Sequence, residues 1–213
     1  MKNIFVLNLM LSFLFINLNL SAVQTKKPEL SKMPKYESLL KKVKKGNKEI
    51  NYFDFRMSFT RSKDYKPSNP ELDSLRKKMI QELNSKEYKN AIKLADSILS
   101  KEYIDMYAHY TCYYAYTAMG DTVKASFHVF IMDRLLNSII ESGDGKSKES
   151  AFLIISSNEE YFLIFIYKLQ VTEKSFTNLN GEPIDVFKAV DPETKDSFEL
   201  YFNTSLMIND ENK

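Results

Sequence analysis

Two stretches of this chain line up at an offset of 34 residues, and that period restricts the fold more than any other feature. SKEYKNAIKLADSIL (85–99) lies over MGDTVKASFHVFIMD (119–133), so Ala91, Ala95 and Ile98 fall on Ala125, Val129 and Met132. Small and large apolar residues three and four apart make one buried helix face, and the spacing is that of a helix pair used twice. Residues 72–141 are therefore expected to form four antiparallel helices. Leu72, Leu75, Met79 and Leu83 give the first its apolar stripe, and Gly120-Asp121 turns the chain between the last two. Met33, Tyr36, Leu39, Leu40 and Val43 predict another helix near 35–45, covering one edge.

In the second unit His109, Cys112, Tyr113 and Tyr116 share the first helix, and Ala125 lets the second approach closely. This pattern resembles degenerate tetratricopeptide repeats, with departures: His109 stands where a tryptophan is usual, Tyr113 replaces a small residue, and Asn137 replaces a terminal proline. Such repeats present interaction surfaces, so the resemblance implies a binding role.

ESGDGKSKESAF (141–152) has the look of a phosphate loop and fails its requirements. The ending Gly145-Lys146-Ser147 is present, but the earlier glycine of that motif would fall at Ile140, and a helix precedes the loop where a strand is needed. Nor does Asp144 have the alternating carboxylates of a calcium loop. The stretch reads as a joint, with Gly143 expected to end the helix at positive φ and Asp144-Gly145 to make the next turn. Asp144 and Lys146 remain candidate ligand contacts, with Tyr113 and Tyr116.

Beyond the joint, AFLIIS predicts a buried strand. Ser157 and Glu160 predict a capping box opening a helix through about Leu169. Strands follow at about 174–179, 184–190 and 197–202, separated by turns at Asn180-Gly181 and Asp191 to Asp196. The fold class is α+β: an amino-terminal antiparallel helical layer packed on a small carboxy-terminal antiparallel sheet with one helix. By region this gives a signal peptide at 1–22, a basic segment or amphipathic helix at 23–48, and helices at 49–142. A sheet-containing part of the same domain follows at 143–205, then a disordered tail at 206–213.

The compartment rests on the first residues. Lys2, the mostly apolar run Ile4 to Leu20, and the small pair Ser21-Ala22 form an export signal, placing the mature chain in the periplasm or outside the cell. A retained membrane anchor is the alternative. The only cysteine, Cys112, permits no internal disulfide, so the core alone must hold the fold; as a helix residue it reads as packing, not as a thiolate. Charge is uneven. Residues 26–48 hold nine lysines against Glu29 and Glu37, a local 9 − 2 = +7, whereas 49–213 carry 20 basic and 26 acidic groups, or −6. That basic segment suits peripheral contact with an anionic surface. No recognition motif points to nucleic acid, so none is expected as a partner.

Candidate chemistry gathers around the two histidines. Counted from Gly120-Asp121, His109 and His128 stand three residues apart in height, roughly 4.5 Å at helical rise. Asp105, one turn before His109, is placed to orient its imidazole, and Glu159 or Glu160 could add a carboxylate. That set would serve a small metal-assisted or acid–base hydrolase, with zinc as the alternative cofactor. The leading reading expects none. It is a noncatalytic, exported cell-envelope interaction or accessory protein whose partner is an envelope protein or a glycan.

NYFDFRMSFTRSKDY (51–65), YIDMYAH (103–109), SGDGKS (142–147), SNEEY (157–161) and LYFN (200–203), in this order, resemble the uncharacterised exported bacterial family called domain-of-unknown-function family 4919. The likeness runs over roughly residues 35–205. It implies an envelope or secreted protein of Bacteroidetes-like bacteria and carries no catalytic assignment onto any residue.

Overall fold

Helix α1 (Tyr36–Lys44) shows how the basic segment is used. Tyr36, Leu39 and Val43 bury one stripe, while Lys41, Lys42 and Lys44 stay exposed in the last turn, where the negative end of the helix favours cations. Most of α2 (Tyr52–Phe59) is buried. Its cap is Asn51, whose side chain accepts the Asp54 N–H at 3.0 Å. The computed structural model describes residues 28–208, so the expected signal peptide, the start of the 23–48 segment and the end of the expected tail lie outside it.

Four consecutive helices follow as expected: α3 (Pro70–Asn84), α4 (Tyr88–Lys101), α5 (Met106–Ala118) and α6 (Thr122–Ile140), each packed on the next. Their starts are chemically marked. Asn69 precedes Pro70, and the Asp105 and Asp121 side chains accept the Ala108 and Lys124 N–H groups at 2.7 and 3.1 Å. Gly120 makes the α5–α6 turn at φ +81°. Ala91, Ala95 and Ala125 are buried, so the helices approach closely.

Strands β1 (Phe152–Leu153), β2 (Gln170–Leu179), β3 (Glu182–Val190) and β4 (Ser197–Asn203) form one sheet in the order β1-β4-β3-β2. The hairpin β2–β3 closes through Asn180-Gly181, both at positive φ (52° and 86°), as a two-residue turn demands. The β3–β4 pair is also antiparallel, but β1 runs parallel to β4. The sheet is therefore mixed, because the chain enters it from α6 and passes through α7 (Ser157–Ile166) before returning. A single core cluster joins residues of α1–α7 to Phe152, Phe187 and Phe202 of the sheet. A smaller one, Ala151, Ile184 and Val186, lies apart from it.

Three local expectations need correction. Ser156, not Ser157, is the N-cap of α7, and no side chain caps it; Glu160 turns inward instead of reaching back. The helix ends at Ile166, before Leu169, because Lys168 takes φ +55° and the Leu169 N–H returns to the Ile164 carbonyl. In the joint, positive φ belongs to Gly145 (+67°), not Gly143. Gly143 is required for a different reason. A Cβ there would lie 2.4 Å from the Ser150 carbonyl oxygen and 2.6 Å from that of Ala151. The joint is braced from within: Gly145 donates to the Ser150 carbonyl at 2.8 Å, and its own carbonyl accepts the Tyr201 N–H at 2.9 Å. Ser142 Oγ accepts the Leu153 N–H at 2.9 Å.

Candidate functional site

The antiparallel α5 and α6 bring the two histidines together. His109 Nδ1 and His128 Nδ1 lie 3.0 Å apart, and His109 Nε2 is 2.9 Å from the Tyr103 carbonyl oxygen. A carbonyl can only accept, so His109 carries its proton on Nε2 and its Nδ1 is an acceptor. His128 must then donate from Nδ1. Burial lowers the basicity of both rings and keeps them neutral: His109 falls to about 3, with His128 adding to the depression, and His128 falls to about 4. His109 is fully buried. Tyr103 meets its ring edge-on, Tyr116 stacks on His128, and Phe127 closes another side. Neither the orienting role expected of Asp105 nor a carboxylate from α7 is found at this pair.

Asp105 is engaged elsewhere. Its Oδ1 caps α5, and its Oδ2 accepts from Arg76 Nε at 2.5 Å. The same guanidinium donates to Glu102 Oε2 and to Asp73 Oδ1, each at 2.8 Å. Burial pushes the Glu102 carboxyl up to about 7; neighbouring Asp105 adds to the rise and Arg76 opposes it. Across a hollow of about 10 Å³, room for about one water, lies Glu159. Its Oε2 accepts from Arg56 Nη1 at 2.9 Å and from the Ile155 N–H at 2.8 Å, while Oε1 is sealed and has no donor among the described residues. Arg56 is fully buried and also donates to Ser138 Oγ, the Ser138 carbonyl and the Leu153 carbonyl, so one side chain ties together α2, α6, β1 and α7. Burial is the main force raising the Glu159 carboxyl, against the pull of Arg56.

Glu160 points the other way, toward the sheet. Lys174 Nζ of β2 lies 3.1 Å from Glu160 Oε2 and 2.7 Å from Asp185 Oδ2 of β3. Burial pushes Glu160 up to about 8, with the Asp185 carboxylate adding to it and Lys174 opposing it. Glu159 and Glu160 therefore serve separate clusters, neither of which includes a histidine. Among the described residues, no group of three or more histidines, cysteines, aspartates or glutamates is arranged to hold a metal ion.

The remaining candidates are placed as follows. Asp144 Oδ1 accepts from the Lys146 N–H and Ser150 Oγ, bracing the joint, and Lys146 extends into solvent 3.8 Å from Asp144 Oδ2. Tyr113 is half-buried and Tyr116 lies against His128. Cys112 is buried, and burial raises its thiol well above the ordinary range. The only sequence signal for Arg56 and Arg76 was a cation on a buried helix face: Arg56 inside YFDFRMSF, Arg76 between Leu72 and Met79 on the α3 stripe.

Exposed aromatic side chains from three separate elements, which no local sequence pattern connects, also come together. On α5 and α7, Tyr114, Tyr110 and Phe165 make successive ring contacts at 6.4 and 5.1 Å. Tyr161, one helical turn before Phe165, continues the line to Lys174, whose Nζ lies 5.7 Å from the Tyr161 ring and 5.5 Å from that of Phe176 on β2. Four of these aromatics remain largely exposed, Tyr114 at 48%, Tyr161 at 47%, Phe165 at 43% and Phe176 at 75%.

The family model described as a domain of unknown function (DUF4919) matches residues 22–213, and the chain belongs to that family. No curated protein and no solved structure is a match to it.

Proposed function

We propose that this member of the family is a noncatalytic, exported interaction or accessory protein that binds its partner through the aromatic strip Tyr114–Phe165–Tyr161–Phe176. The strip is the observation that carries the reading. Scattered exposed apolar side chains are ordinary, but a connected line of large aromatic ones is the composition favoured at the centre of binding surfaces. The acidic and imidazole groups support a catalytic role far less. His109 is fully buried and His128 half-buried, both are neutral and bonded to each other, and Glu102, Asp105, Glu159 and Glu160 are occupied in ion pairs. Export is supported by the charged, apolar and small-residue order of the first 22 residues.

Pull-down from an envelope extract tests the binding half. The wild-type protein is expected to retain a partner that Phe165→Ser/Phe176→Ser loses while its circular dichroism is unchanged. Capture of the same set by both proteins would refute the assignment of the strip. Fractionation of the native host tests the export half, since full-length protein confined to the cytoplasm would contradict it.

A further inference from the structure

The seam between α7 and the sheet carries more acid than base. From β2 the only charge facing Glu160 is Lys174, and from β3 it is Asp185. On α7 itself, Glu159 is drawn away to Arg56, and on β4 the residue opposite Asp185 is the apolar Phe202. Two carboxyl groups thus share one ammonium. Glu160 is wholly buried, and its Oε1 has no donor within reach among the described residues unless a carboxyl proton supplies one. The two acids flank the same ammonium, Glu160 Oε2 at 3.1 Å and Asp185 Oδ2 at 2.7 Å from Lys174 Nζ, so their carboxyl groups are close neighbours. Two ionised carboxylates held that close in a buried seam repel each other beyond what one ammonium offsets, and a proton on one of them relieves the repulsion.

We infer that Glu160 and Asp185 hold one proton between them at neutral pH, so that the α7–sheet seam is a latch which alkali opens. The Glu160 carboxyl O–H donates to the Asp185 carboxylate, and Lys174 balances the single negative charge that remains. When the proton leaves for solvent, two negative charges face one ammonium in a buried seam, and the contact becomes repulsive. The burial that lifts Glu160 to about 8 places this loss at mildly alkaline pH. Lys174 also sits over the rings of Tyr161, Phe176 and Phe187, so opening the seam disturbs both elements that carry the lower half of the strip. The latch is independent of whether that strip binds anything.

Site-resolved carbon NMR of the Glu160 carboxyl in the full chain, titrated from about pH 4 to about 10, tests this directly. The carboxyl is expected to titrate at about 8, and at least one unit lower in Asp185→Asn, where the acidic neighbour is gone. Urea unfolding supplies a second readout. Because the folded-state value lies above the unfolded one, stability is fully present below the unfolded value and is lost as pH rises through the folded one. The folding equilibrium constant of the wild type should therefore fall by up to roughly tenfold more per pH unit than that of Glu160→Gln between about pH 6 and about 8. A Glu160 carboxyl titrating in the ordinary range, or equal slopes for wild type and Glu160→Gln, would overturn the inference.

Discussion

Glu159 and Glu160 are neighbours in the first turn of α7, of the same chemical type and both buried, yet they anchor the helix in different ways. Glu159 meets a guanidinium that is itself fully buried and holds four oxygen atoms from α6, β1 and α7. Glu160 meets an ammonium at the edge of the sheet, 26% exposed and shared with a second acid. Arginine keeps its charge at any accessible pH and fixes direction through its planar fork. A lysine facing two carboxyl groups leaves one of them to titrate. The helical side of α7 is thus a permanent tie, and the sheet side is a conditional one.

Removing the arginine is the strongest way to break that contrast. Arg56→Met leaves Glu159 buried without its cation and should destabilise the fold by about 3–5 kcal/mol, measured by urea unfolding. The double variant Arg56→Met/Glu159→Leu should recover much of the loss, because it strands no charge. A single-variant loss below about 1 kcal/mol would mean the tie is not structural. The same side can be attacked through the backbone. Gly143→Val drives a side chain into the Ser150 and Ala151 carbonyls, and the displaced segment leads straight to Leu153, whose carbonyl holds Arg56. The expected loss is about 1–3 kcal/mol, and Gly143→Ala should already show part of it.

These residues also mark where the sequence ceased to be legible. Helices recur at periods readable from neighbours, so α1 and α3–α6 followed from apolar spacing, and the β2–β3 and β3–β4 turns from Asn180-Gly181 and the Asp191 loop. The ionic clusters depend on contacts that no local pattern encodes. Arg56 is 103 residues from Glu159, and the adjacent glutamates looked interchangeable until the fold put them on opposite sides of α7. The expected capping box failed for the same reason: a carboxylate that can pair inside the protein is not available to reach back to its own helix. His109 and His128 were legible as neighbours because one short turn sets their heights, whereas the Tyr103 carbonyl that orients His109 lies outside α5. Gly143 is required by crowding against two carbonyls and not by the positive φ that its place after a helix suggests, and such crowding leaves no trace in a single sequence.

The pH profile should separate the conditional tie from the rest of the molecule. Glu102 and Glu160 have raised folded-state values of about 7 and about 8, so the stability they contribute is lost as pH rises through those values. The histidines behave oppositely. Their values are depressed to about 3 and about 4, so their contribution is present above the ordinary histidine range and is lost as pH falls through the folded values. Chemical unfolding at a series of pH values should show declines on both sides of a broad maximum. Glu102→Gln and Glu160→Gln should each remove part of the alkaline decline and leave the acid one. An alkaline limb unchanged in both variants would place its origin elsewhere.

The smallest effect is expected where the conditional side meets solvent. Phe176 is the most exposed aromatic of the strip, and its recorded ring contact is with Lys174. That lysine already has two carboxyl partners and two other rings, so losing Phe176 should leave it in place. An exposed side chain removes little apolar area from water in the folded state, and its truncation should change stability by less than about 0.5 kcal/mol. Phe176→Ser should therefore unfold in urea with the wild-type midpoint and retain the wild-type alkaline decline. A loss above about 1 kcal/mol would show that the ring holds Lys174 over the carboxyl pair, in the range of a desolvated cation–π contact. The sheet side would then be a tie of three parts, with the exposed aromatic as one of them, and less conditional than its chemistry suggests.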